Sequence, residues 1–141
     1  MARIKVIVRG TNVYQYKGQL RVSDMNYGNH LGNDKVLSLF HECRLSWMKT
    51  INYDELNFYG KALIQHDALI NYKSEGLYGD LFNIKLYIDD IDSKSFDFYY
   101  QIINITSDQD MAIGKTGMTF YDYDLQKITD APIPFIEKFR V

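Results

Sequence analysis

Alternation of apolar and polar residues is clearest between residues 82 and 89 of this chain. Phe82, Ile84, Leu86 and Ile88 alternate with more polar residues, as expected for a strand that buries one face. Similar patterns predict strands at residues 64–72, 96–106 and 111–123, and shorter strands at residues 3–9 and 18–23. The joints after residue 72 are short, so consecutive strands should pair antiparallel.

One segment, residues 33–51, has helical periodicity instead. Val36, Phe40, Cys43 and Trp47 recur at helical spacing, and further apolar residues widen this stripe to more than half of the circumference. A helix with so narrow a polar sector should be covered on several sides. We therefore predict an α+β domain in which five or six antiparallel strands wrap around one long central helix.

Composition and charge limit the classes of function. A length of 141 residues without linker or repeat predicts a single domain over residues 1–141. The 16 basic and 18 acidic residues do not cluster by sign, so we expect no nucleic-acid partner. The apolar runs are too short to cross a bilayer and no secretory signal is recognisable, which predicts a cytoplasmic protein without membrane insertion. The single cysteine, Cys43, excludes an internal disulfide and fits a reducing compartment.

The turn before the predicted helix concentrates polar side chains. Asp24, Asn26, His30, Asn33 and Asp34 all fall at or near the helix N-terminus. Free backbone N–H groups and the helix dipole favour negative charge at such a position. The turn could therefore hold a developing oxyanion.

Three short motifs carry a family resemblance. They are the stretch from Asp24 to His30 (DMNYGNH), then Glu42-Cys43-Arg44, and more loosely Tyr78-Gly79-Asp80 before a strand. In this order of elements the chain resembles the hotdog fold, and within it the 4-hydroxybenzoyl-CoA thioesterase-like (acyl-CoA thioesterase) family. The first family motif is D-x-D-x-x-G-H-V-N-N and the second is E-A-R. The resemblance covers roughly residues 18–123.

The chain departs from that family at the residue that usually reacts. The second aspartate of D-x-D is the catalytic carboxylate in the family, and Asn26 stands there in this chain. An amide can hydrogen-bond a carbonyl or orient a water, but it cannot act as a base. We expect Asp24 or Glu42 to supply the carboxylate, with Asn26 assisting. The alternatives are a turn residue for Asp24 and a solvated or ion-paired side chain for Glu42.

Contacts with the substrate are expected at the same turn. The resemblance places the thioester beside His30, Tyr27 and the backbone N–H groups near Gly32 and Asn33. A histidine that only holds the turn is the alternative for His30.

The other reactive side chains point to no metal and no cofactor. The three histidines lack the spacing of a common zinc motif, so we predict no metal site. Cys43 lies on the apolar stripe and is expected to fill the core. Glu75, near Gly76 and Gly79, is most simply a turn-flanking residue. No cofactor is expected beyond the CoA of the substrate itself.

The resemblance implies an acyl-CoA thioesterase that converts a fatty or aromatic acyl-CoA to the free acid and CoA, as a homodimer or homotetramer. Two other functions remain open. Because of Asn26, the chain could bind acyl-CoA or lipid without catalysis. A hotdog dehydratase or hydratase would need a histidine with an acidic partner, for which His30 and Glu42 are available.

Overall fold

The computed structural model describes residues 3–140, in which one antiparallel sheet packs against two helices. The helices are α1 (Asn33–Thr50) and α2 (Ile133–Phe139), and a single 3-10 turn covers Val22–Asp24. The six strands are β1 (Thr11–Gln19), β2 (Ala62–Tyr72), β3 (Leu81–Asp89), β4 (Ser95–Asn104), β5 (Gln109–Asp122) and β6 (Lys127–Ile128). The predicted α+β class and six-stranded antiparallel sheet are confirmed.

Strand order determines where the connections run. The sheet has the order β1-β3-β4-β5-β2, with β6 beside β5. The expectation that consecutive strands pair is therefore wrong for β2 and β3, which lie three strands apart. Their connection, residues 73–80, crosses the end of the core instead of forming a hairpin: Ser74 Oγ donates to the Asp110 carbonyl, and the Leu31 N–H donates to the Gly76 carbonyl.

The N-terminal strands differ from those predicted. Residues 3–9 form no strand, and β1 instead begins at Thr11, within the expected break at residues 10–12. Gly10 has φ +97° and a Cβ there would collide with the Ile88 carbonyl, so the chain turns at Gly10 before pairing with β3. The predicted strand at residues 18–23 is also wrong beyond Gln19, because residues 22–24 form the 3-10 turn.

Helix α1 lies on one face of the sheet. Val36, Phe40, Cys43 and Trp47 are buried, and Phe40 stacks on Tyr100 with ring centroids 4.1 Å apart. The outer side of α1 is solvent-exposed, and its exposed residues include Asp34, Ser38, His41, Glu42 and Lys49. The prediction of one long central helix wrapped by the sheet is therefore wrong: the described chain has two helices, of 18 and 7 residues, and α1 is covered on one side only.

The far end of the core, away from the start of α1, is aromatic. The second helix, which the sequence analysis missed, begins at a pair of prolines and inserts Phe135 between Phe58, Phe96 and Phe120. All four rings are fully buried. Neither helix within residues 3–140 is long and apolar enough to cross a membrane.

Candidate active site

Asn26 organises the turn that leads into α1. Its Oδ1 accepts hydrogen bonds from the backbone N–H groups of Gly28 (2.9 Å) and His30 (3.2 Å), and its own N–H donates to the His30 carbonyl (2.8 Å). Asn29 completes the turn with φ +64°. Because both bonds use the carbonyl oxygen, the Asn26 side chain has its Nδ2 hydrogens left as donors.

The first turn of α1 begins without a side-chain cap. Gly32 is the N-cap, in an extended conformation, and no side chain bonds the N–H groups of the first turn. The Gly32 N–H donates to the Asp24 carbonyl at 3.0 Å, and the Tyr72 hydroxyl donates to the Asn33 carbonyl at 3.2 Å. The Lys35 N–H donates to the Gly32 carbonyl at 2.9 Å, so these bonds fix the start of the helix while the N–H groups of Asn33 and Asp34 stay available to an anion or a polarised carbonyl.

A cavity of about 330 Å³ opens on the β2 side of this helix start. We call it the helix-start cavity. Of the predicted site residues it brings together Asn26, His30 and Asn33. The remaining lining comes from the turn before α1 and from α1, β2, β5 and the 73–80 connection, namely Leu31, Val36, Tyr72, Lys73, Ser74, Glu75 and Met111.

Glu75 is the functional candidate that the sequence analysis set aside. Its Oε2 lies 3.5 Å from His30 Nε2, and both side chains are accessible, at 71% and 39% respectively. A backbone bridge between His30 and Leu77 brings the 73–80 connection against the turn. No short-range pattern indicates this contact, since it follows from the strand order alone.

The two predicted carboxylates lie elsewhere. Asp24 and Glu42 line a separate hollow of about 350 Å³ on the β1 side of α1, together with Tyr16, Arg21 and Ser38. We call it the β1-side groove. Asp24 is buried, and its Oδ2 accepts the Arg21 backbone N–H at 2.8 Å. Burial and the Glu42 carboxylate raise the pKa of the Tyr16 phenol.

Two other predicted substrate contacts differ in exposure. Gly32 is buried at the helix N-cap; it is not among the residues that line the helix-start cavity, and its N–H is bonded to the Asp24 carbonyl. Tyr27 is fully exposed and lines a shallow surface hollow with Tyr78 and Val22 instead of the helix-start cavity. Asn26 lines this hollow as well as the helix-start cavity, so the structure separates Tyr27 from His30 but not from Asn26.

The residues of the Glu42-Cys43-Arg44 motif have distinct environments. Cys43 is buried, and burial raises the pKa of its thiol to about 12, which confirms that it fills the core. Arg44 is also buried; its Nη1 donates to the Tyr100 hydroxyl at 3.3 Å and its Nε lies 3.5 Å from Glu55. Arg44 therefore ties α1 to the sheet and to the loop before β2.

The remaining histidines are bonded outside the helix-start cavity. His41 Nε2 lies 2.6 Å from Glu55 Oε1, and His66 Nδ1 lies 2.6 Å from Thr119 Oγ1. Within residues 3–140, no three His, Cys, Asp or Glu side chains converge in a way that could hold a metal ion.

Comparison with known proteins places this geometry in context. The family model of the Thioesterase-like superfamily matches residues 20–139. Similar solved structures include Slr0204, a 1,4-dihydroxy-2-naphthoyl-CoA thioesterase from Synechocystis, which is 22% identical with a TM-score of 0.77 over 86% of this chain and 91% of that one. No curated protein matches the chain.

Two further solved structures share the fold at similarly low sequence identity. BH1999, a gentisyl-coenzyme A thioesterase, is 15% identical with a TM-score of 0.74, over 91% of this chain and 100% of that one. A predicted thioesterase from Bacillus stearothermophilus is 20% identical with a TM-score of 0.78, over 90% and 93% of the two chains.

Proposed function

Because the chain belongs to the Thioesterase-like superfamily, with its hotdog-type fold, we propose that it hydrolyses a fatty or aromatic acyl-CoA to the free acid and CoA. The observation that carries this proposal is the helix-start cavity. It combines an amide donor, an uncapped helix N-terminus and a His–Glu pair with an apolar wall. Asn26, His30 and Glu75 are the side chains with chemical roles.

The thioester carbonyl is polarised by donors at the helix start. In this proposal its oxygen accepts from Asn26 Nδ2 and from the free N–H groups of Asn33 and Asp34. Such donors act on the oxyanion of the tetrahedral intermediate, where they contribute most to rate. The bonds that hold Asn26 through its Oδ1 keep the amide in one orientation, with only donors facing the substrate.

Glu75 is the carboxylate that activates water. The water oxygen attacks the carbonyl carbon as one of its protons passes to Glu75; the C–S bond then breaks, and Glu75 gives that proton to the departing CoA sulfur, which regenerates the carboxylate. His30, 3.5 Å from Glu75, orients the carboxylate or the water. Asp24 and Glu42 remain predictions for this role, but Glu75 is favoured because it shares the cavity with Asn26.

The acyl group occupies the apolar part of the same cavity. Leu31, Val36 and Met111 line it and lead inwards between α1 and the sheet. The acyl groups in the names of two structural neighbours, dihydroxynaphthoyl and gentisyl, are aromatic, which supports including aryl thioesters among the substrates tested.

A homodimer is the proposed assembly. Strand β2 ends the sheet order and pairs only with β5, so within residues 3–140 no strand occupies its outer edge, where a second copy could pair. An 11-residue edge with half-buried Leu69 and Ile70 suits antiparallel pairing of two β2 strands. Such pairing would place the helix-start cavity beside the interface, because Tyr72 belongs to both β2 and the cavity wall.

The test is release of free CoA thiol, followed with a thiol-reactive dye across short, medium, long and aryl acyl-CoAs. We expect turnover of at least one class by the wild-type chain and its loss in Glu75→Gln. Absence of thiol release from every acyl-CoA, with acyl-CoA still raising the melting temperature, would contradict hydrolysis and identify a binding protein.

A second candidate function is supported by one observation. The acidic partner of His30 is Glu75, not Glu42, and a close His–Glu pair is also what a hotdog dehydratase or hydratase requires. Hydration of a 2-enoyl-CoA removes the conjugated double bond without releasing thiol. Loss of ultraviolet absorbance from crotonyl-CoA, with no thiol signal, would therefore favour this function over hydrolysis.

A further inference from the structure

A second hollow, of about 560 Å³, adjoins the helix-start cavity at the C-terminal end of β2. The two hollows share Tyr72 and Lys73 as lining residues. Three cationic side chains, Arg3, Lys5 and Lys73, line this second hollow, which we call the basic groove.

The side chain of Asn71 builds one wall of the basic groove. Its Oδ1 accepts the Val6 N–H at 2.6 Å, and its Nδ2 donates to the Ile4 carbonyl at 2.9 Å. A buried Val6 side chain anchors the same segment. These bonds hold the N-terminal segment beside β2, so Arg3 and Lys5 are positioned opposite Lys73 by a specific contact.

The three cations of the basic groove have no acidic partner. No carboxylate of residues 3–140 lies within 4.0 Å of Arg3, Lys5 or Lys73. In contrast, Lys115 on β5 lies 3.0 Å from Asp67 and 3.4 Å from Asp97. In a chain with net charge −2, three unpaired cations around one hollow form a local site for a multiply charged anion.

We propose that the basic groove binds the phosphate groups of the CoA nucleotide, while the thioester lies in the adjoining helix-start cavity. This inference rests on the proposed function for its substrate. The CoA nucleotide carries a diphosphate and a 3′-phosphate, whose charges suit Arg3, Lys5 and Lys73. The groove contributes affinity for the carrier and takes no part in the bond that breaks.

The kinetic test compares one acyl group on two carriers, CoA and N-acetylcysteamine, of which the second lacks the nucleotide. In Arg3→Gln/Lys5→Gln, which changes no residue that lines the helix-start cavity, KM for the acyl-CoA should rise about 10- to 100-fold with kcat within about twofold, because charge-assisted contacts to the phosphates are lost while the reacting groups stay. Hydrolysis of the N-acetylcysteamine thioester should be unchanged.

Two further variants distinguish the effect of net charge from the effect of where the cations of the basic groove are held. Lys127→Gln/Lys138→Gln removes the same charge from exposed sites on β6 and α2, and it should leave both KM values as in the wild type. Asn71→Ala keeps all three cations but releases residues 4–6, and should raise KM for the acyl-CoA about threefold to tenfold through loss of position.

Calorimetric binding of adenosine 3′,5′-bisphosphate tests the affinity of the basic groove without turnover. We expect binding by the wild type and at least about tenfold weaker binding by Arg3→Gln/Lys5→Gln. Equal affinity in both chains, no binding by the wild type, or equally effective competition by inorganic phosphate would overturn the assignment. If the variant hydrolysed both thioesters with the wild-type KM for the acyl-CoA, the assignment of the basic groove would be overturned. The thioesterase proposal would stand. Hydrolysis of neither by the wild type would refute the thioesterase proposal, whatever the calorimetry shows.

Discussion

The two hollows beside the first half of α1 are similar in size but differ in what their carboxylates contact. In the β1-side groove, Asp24 is buried and accepts a backbone N–H, so it is already part of the fold. In the helix-start cavity, Glu75 is accessible and its nearest ionisable partner is His30. A carboxylate that stabilises a turn has little freedom to take a proton, whereas an accessible one beside a histidine can do so.

The hydrogen-bond donors of the two hollows also differ. Asn26 offers its Nδ2 in the helix-start cavity, close to an uncapped helix start. Arg21 lies nearest to Asp24 in the β1-side groove, with its Nε 3.8 Å from the carboxylate and its side chain mostly in solvent. The candidate base and the oxyanion donors therefore lie together in the helix-start cavity, which favours it over the β1-side groove as the site of hydrolysis.

The largest effect is expected for Glu75→Gln. The amide cannot accept the proton of the attacking water, so kcat should fall by about 10²- to 10⁴-fold. Glu42→Gln is the matched control in the β1-side groove and should keep kcat within about threefold. Thiol release with purified variants of equal melting temperature checks both. The reverse result would place the reacting carboxylate at Glu42.

Replacement of Asn26 should lower kcat and also destabilise the turn that Asn26 holds. In Asn26→Ala, loss of an oxyanion donor should lower kcat by about 10²- to 10³-fold. Loss of the two bonds to Gly28 and His30 should also lower the free energy of unfolding by about 1–2 kcal/mol. Asn26→Asp keeps an acceptor for both N–H groups, so urea unfolding should distinguish it from the alanine variant. A fully active Asn26→Ala would exclude the amide from the reaction.

Asp24→Ala should mainly change stability. Removal of a buried carboxylate that accepts the Arg21 N–H should lower the free energy of unfolding by about 1.5–3 kcal/mol. Activity per folded molecule should be retained, since Asp24 lies outside the helix-start cavity. Asp24→Asn keeps an acceptor and serves as the control. Inactivity of both variants at unchanged stability would return the catalytic role to Asp24.

The smallest effect is a pH dependence from the opposite face of the sheet. Burial and a hydrogen bond with Asp90 raise the pKa of Asp97 to about 6. Because the folded chain holds this proton more tightly than the unfolded chain, the free energy of unfolding should fall as pH rises between about 4 and 6. The change should be on the order of 1 kcal/mol after solvent screening.

Asp97→Asn should remove that slope from urea unfolding measured across pH. The pH–rate profile should be unaltered, because Asp97 is absent from both hollows beside α1. A shifted profile in Asp97→Asn would mean that the two faces of the sheet are coupled.

The periodicity of apolar residues predicted those helices and strands whose burial pattern is set by the local sequence. Strands β2 to β5 and helix α1 were expected within a few residues of their observed bounds. Residues 3–9 alternate more clearly than residues 11–19, yet only the latter pair with β3, so tertiary pairing decided between them. Helix α2 is short, follows Pro132 and contains Pro134, and these prolines concealed it.

The candidate site could be predicted only in part for the same reason. Asn26, His30 and Asn33 lie within one turn and one motif, and the structure brings them together. Glu75 joins them because β2 lies at the sheet edge and its connection to β3 crosses the core. A long-range strand order of this kind leaves no signal in the local pattern around Gly76.

The hydrogen bonds of Asn26 have a consequence for how such a site can diversify. Its loop needs only one oxygen acceptor, which Asn and Asp supply equally, so the second atom of the side chain can change without rebuilding the turn. Exchange of these two residues requires a single nucleotide change. The same loop can therefore present either a donor or a charged acceptor to a substrate, and descendants of one ancestral scaffold could alternate between the two chemistries in one mutational step.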